Sequence, residues 1–148
     1  MMDQANLKAW EWLRAKVLHE DSWVQQRVSW LLGSTSLLVA GYAVLATVRT
    51  DVSIPQTLLR GYLMLLLPAF GFFLSLLVLL GLVGSSLAVT AAIDEWERLA
   101  IPEDQRSHFP TLHSRGAALA LGRFASRGTC FLLALFWVIV FVLTRYLI

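Results

Sequence analysis

The sequence predicts an all-α integral membrane protein: an N-terminal cytoplasmic amphipathic helix plus three transmembrane helices, the first two extending into the cytoplasm. Three observations predict it. Charged residues are only 15% of the 148 positions against 57% hydrophobic, too few to keep a soluble domain of this size wet. Mean hydropathy is +0.66. Three apolar runs, at residues 30–48, 62–93 and 130–148, are long enough to cross a bilayer, which takes about 20 residues per helix. The length suits a single membrane domain and leaves no room for a separate enzymatic one.

The N-terminal arm, residues 1–21, places Trp10, Leu13 and Val17 on one helical face among Lys8, Glu11 and Arg14, which predicts an amphipathic helix. It contains no apolar core before a small-residue cleavage site, so the first span is expected to act as an uncleaved anchor. The apolar pattern fails at Glu20 and Asp21, and the arm is expected to end there. Ser22 followed three residues later by Gln25 matches a capping box, which predicts a new helix over 22–48 that enters the membrane unbroken. Two placements of the arm are open: docked on the cytoplasmic part of another helix, or flat on the membrane with Trp10 and Trp12 in the interface.

Between the first two runs, "RTDVSIPQTLLRG" holds Asp51, Ser53 and Pro55 and reads as a turn. The second long helix is expected over 62–97. Its apolar run of 32 residues would rise about 48 Å, against a hydrocarbon core of about 30 Å. It is therefore expected to emerge near Ser85 and continue to Glu97, with an apolar surface that needs a partner. The N-terminal arm offers one.

Residues 98–129 are expected to form a cytoplasmic loop with an amphipathic segment, followed by the third span at 130–148. In the loop, His108 and His113 stand five apart with Pro110 between them and Glu103 and Asp104 upstream. Helical metal sites use spacings of three or four, so no metal site is expected. Ser107 beside His108 lacks a nucleophile elbow, and no Gly-rich phosphate loop occurs. No catalytic residue, cofactor site or enzymatic activity is predicted. Arg115, Arg123 and Arg127, set against Leu119, Leu121 and Phe124, predict a basic segment at the membrane surface. The lone cysteine, Cys130, excludes an internal disulfide and any zinc site built on two thiolates.

Orientation follows from the 12 Lys and Arg residues. Nine (Lys8, Arg14, Lys16, Arg27, Arg98, Arg106, Arg115, Arg123 and Arg127) fall in the arm and long loop, and three (Arg49, Arg60 and Arg145) on the other side. The positive-inside rule puts the N-terminus in the cytoplasm and the C-terminus outside. Trp30, Trp96 and Tyr146 lie near the expected interfaces. A net charge of +2 with dispersed basic residues gives no reason to expect nucleic acid. No charged residue lies inside a span away from its ends, which argues against a proton-coupled transporter or voltage sensor.

The candidate site is a stripe. Ser22, Gln25, Ser29, Gly33, Ser36, Ala40, Ala43 and Thr47 recur every three or four residues and share one face of the first helix. Small residues permit close helix packing in membranes; around a symmetry axis the same residues would line a narrow aqueous path. Val24, Val28, Leu31, Leu38 and Leu45 lie away from the stripe. On the second helix, Gly81, Ser85, Ala88 and Ala92 form a shorter small-residue face, and Gly71 with Ser75 another small pair. The third helix, with Phe131, Phe136, Trp137 and Phe141, is expected to be peripheral and lipid-facing. Three helices are too few to enclose a pore, so a channel would require a ring of copies.

This layout of amphipathic arm, small-residue spans and short cytoplasmic helical region resembles the SLATT class of small bacterial membrane effectors over residues 5–97. The resemblance is architectural and carries over no site residue, and the third span departs from the usual two. It implies a homo-oligomeric pore in a bacterial inner membrane, acting in stress or defence, whose partners are the lipid bilayer, copies of itself and ions. The alternative is a non-conducting scaffold or regulatory subunit that packs against another membrane protein.

Overall fold

A computed structural model describes residues 4–47, 54–99 and 117–147. They form three helices: α1, Gln4–Thr47; α2, Ile54–Arg98; and α3, Ala117–Leu147. All three contain stretches long and apolar enough to cross a membrane. No strand occurs among the described residues.

The break expected at Glu20 and Asp21 does not occur: α1 is one helix of 44 residues. No Pro or Gly falls between Gln4 and Leu32. The hydroxyl of Ser22 donates to the His19 carbonyl at 2.8 Å instead of capping a new helix. A longer pattern overrides the two acids. Trp10, Val17, Val24, Leu31, Leu38 and Leu45 recur every seven residues, and all are buried or half-buried. One seam therefore runs from arm to span, and Asp21 stays exposed off it.

Helix α2 starts at Ile54, eight residues before the expected 62, and takes in residues 54–61 of the expected turn. Pro55 sits in its first turn, where a missing N–H costs nothing. Pro68 lies inside the helix, fully buried. Helix α3 absorbs the segment expected to be separate: residues 117–127 are its first turns, and neither Gly122 nor Gly128 interrupts it.

The chain divides into two compact units. The first comprises residues 1–26 and 81–126. Its core joins Trp10, Leu13 and Val17 of α1 to Val89, Ala92 and Trp96 of α2, with Ile93 and Leu99 against it. Ala92 is fully buried, so a short side chain on α2 receives the bulky ones of α1. The Arg14 guanidinium lies 5.0 Å from the Trp10 ring, covering the cluster with a cation–π contact.

The second unit comprises residues 27–80 and 127–148. Arg60 fixes one end of it: Nε and Nη2 donate to the Leu45 and Ala46 carbonyls at 2.7 and 3.2 Å, satisfying groups that a helix end leaves unpaired. Gly41 faces Leu67 across the α1–α2 contact. The interior also holds Leu31, Pro68, Gly71, Ser75, Cys130, Trp137 and Thr144.

That list corrects the expectation for the third helix. Phe131, Phe136 and Phe141 are exposed, but Trp137 is 1% exposed, and Cys130 and Thr144 are as deeply buried. These three are seven residues apart, a seam on α3. Its bulky member fits because Gly71 has no side chain. A Cβ there would collide with the Trp137 indole.

Candidate membrane interface

All eight positions of the α1 stripe, Ser22, Gln25, Ser29, Gly33, Ser36, Ala40, Ala43 and Thr47, are exposed. The chain packs with another side of the helix, the side carrying Leu31 and Thr35. At 1.5 Å per residue the stripe is about 38 Å long. Gly33 has no neighbouring atom within 4 Å of where a Cβ would stand, so nothing among the described residues requires glycine there.

Three of the four hydroxyls on this face share a chemistry. Ser22 donates to His19, Ser36 to Leu32 at 2.9 Å, and Thr47 to Ala43 and Val44 at 3.1 and 3.0 Å, each to a carbonyl of its own helix. A hydroxyl has one proton and two lone pairs. With the proton turned back, oxygen lone pairs face outward. At these three positions the face offers acceptors. Large apolar side chains flank it, among them Trp30 at 70% and Leu37 at 77% exposure.

The small residues of α2 do the opposite. Gly71 and Ser75 are buried in the second unit, Ser85 and Ala92 in the first, and Gly81 and Ala88 are half-buried. The Ser75 hydroxyl donates to the Gly71 carbonyl at 2.9 Å. Position by position, the α2 set is occupied by the chain's own packing while the α1 set is left outward.

Of the basic membrane-surface candidates, Arg127 is half-buried near the start of the second unit's part of α3. Arg115 lies outside the described residues, as does the side chain of Arg123. His108, His113, Glu103, Asp104 and Ser107 also lie outside them. Among the described residues no group of three metal-ligating side chains occurs.

Two polar features were missed in the sequence. Tyr42 and Thr144 share a hydrogen bond of 2.6 Å between α1 and α3. Thr144 uses its own proton on the Val140 carbonyl at 2.7 Å, so the phenol is the donor. The other is the Arg60 cap. Each residue was visible as an isolated polar group in or beside a span, and only the helix register shows its partner. Comparison with family models, curated proteins and solved structures finds no match to this chain.

Proposed function

We propose that this chain assembles with copies of itself into a pore in the bacterial inner membrane, with its N-terminus in the cytoplasm. The α1 stripe lines the axis through Ser29, Gly33, Ser36 and Ala40. One observation carries the reading: all eight stripe positions are exposed while the chain's own packing uses another face of α1. A polar face of seven turns gains little from lipid, which offers its hydroxyl oxygens no donors. Around an axis those oxygens face water and ions. The SLATT-like layout points the same way and adds a role in stress or defence. The chain acts by conduction and not by catalysis.

Replacing Ser36 or Ala40 with Leu puts bulk on the axis and is expected to abolish single-channel current in planar bilayers while leaving the chain folded. An unchanged current overturns the pore. A second reading is supported by the open space at Gly33: a helix of another membrane protein packs closely on the stripe, and the chain is a scaffold or regulatory subunit. Purification in mild detergent separates the two. A monodisperse ring of this chain alone supports the pore, and a monomer that assembles only with a partner supports the scaffold.

A further inference from the structure

Two buried polar side-chain atoms among the described residues have no hydrogen-bond partner: Thr35 Oγ1 on α1 and Trp137 Nε1 on α3. Both lie in the second unit, and the register brings them to one level. Tyr42 and Thr144 are hydrogen-bonded across α1 and α3. Thr35 stands seven residues before Tyr42, and Trp137 seven before Thr144. Seven residues are two turns of helix, so each lies on the same face as its bonded neighbour. The α2 contacts agree. Gly41 faces Leu67, which puts Thr35 level with the turn at 71–73, and Gly71 is the residue on which the Trp137 indole rests.

The indole nitrogen is among the atoms closest to the Gly71 position, but the Gly71 carbonyl already receives the Ser75 hydroxyl. Buried tryptophans ordinarily give their N–H a partner. In a span the need is greater, because hydrocarbon supplies none. An indole N–H needs an acceptor. The Thr35 hydroxyl can both give and receive a proton, and Ser75, fully buried one turn from Gly71, keeps lone pairs after its bond. This set of one donor and two hydroxyl oxygens suits a single water, which needs two to four polar partners to be held.

We propose that Thr35 and Trp137 form an interhelical hydrogen-bonded node closed by one water molecule. The water accepts from the indole N–H and donates to Thr35 Oγ1, one layer from the Tyr42–Thr144 bond. The node ties α3 to α1 in the middle of the span, and it does not depend on whether the protein conducts.

The test uses the full chain with 15N-labelled tryptophan in lipid nanodiscs. Trp137→Phe identifies the Trp137 indole peak among those of the six tryptophans. In the wild type that N–H is expected at a hydrogen-bonded, downfield position with a cross-peak to the water resonance. Thr35→Val, nearly the same shape, should shift the peak upfield and remove the cross-peak, and Thr35→Ser should restore both. An indole peak that ignores Thr35→Val overturns the node. A wild-type indole with no water cross-peak overturns the water, and this reading stands even if the valine variant does not fold.

Discussion

At the residue scale, two glycines of α1 and α2 have opposite environments. A methyl at Gly71 meets the Trp137 indole, and the ring cannot retreat because it is fully buried. A methyl at Gly33 meets nothing within 4 Å. Overpacking a filled interior costs about 1–3 kcal/mol, whereas alanine for glycine in an open helical position gains about 0.5–1 kcal/mol. Gly71→Ala is therefore expected to lower, and Gly33→Ala to keep or raise, the unfolding free energy of the chain measured by denaturant titration in detergent. Equal losses at both would show that Gly33 is packed as tightly as Gly71. The same contrast explains why small residues alone were ambiguous in the sequence. Gly71, Ser75 and Gly33 read as one kind of signal until the position of Trp137 separates them.

At the element scale, each helix is longer than its apolar run, and the end of α1 shows how ends are secured. Its last turn contains no basic residue, and Arg60 from α2 supplies one, with two hydrogen bonds to carbonyls of that turn. Charge at a helix C-terminus and a charge-assisted bond each contribute on the order of 1 kcal/mol. Arg60→Met should destabilise the chain by about that amount, and Arg60→Lys by less. The readout is thermal unfolding followed by circular dichroism, and no change in the Met variant would show that water serves the carbonyls equally well. The three helices and their apolar stretches were legible because length and composition decide them. Helix boundaries were less so. Over a short window Glu20 and Asp21 suggest a break; the seven-residue repeat from Trp10 to Leu45 is visible only over the whole of α1. Pro55 suggested a turn, although the first turn of a helix accepts proline. The exposure of the α1 stripe could not be read at all, since the same small residues on α2 are packed inside the chain.

At the scale of the whole molecule, charge sets the arrangement across the bilayer. Helix α1 rises about 66 Å over its 44 residues, more than twice the hydrocarbon thickness of about 30 Å. Lys8, Glu11, Arg14, Lys16, Glu20, Asp21 and Arg27 all lie before residue 28, and the remainder of α1 is uncharged. That uncharged part matches one crossing, and the charged part must stand outside the hydrocarbon. On α2 the order is reversed, with Arg60 near the start and Asp94, Glu95, Glu97 and Arg98 at the end. The charged stretches of α1 and α2 thus pack together in the first unit, and the positive-inside rule gives the expectation that this side is cytoplasmic. Gln4 and Gln56 are both exposed and lie toward opposite sides in this arrangement. In a Cys130→Ser background, Gln56→Cys is expected to react with a membrane-impermeant maleimide in spheroplasts whose inner membrane is intact. Gln4→Cys should react only after permeabilisation. The reverse pattern would invert the orientation, and equal labelling of both would mean that α1 does not cross the membrane.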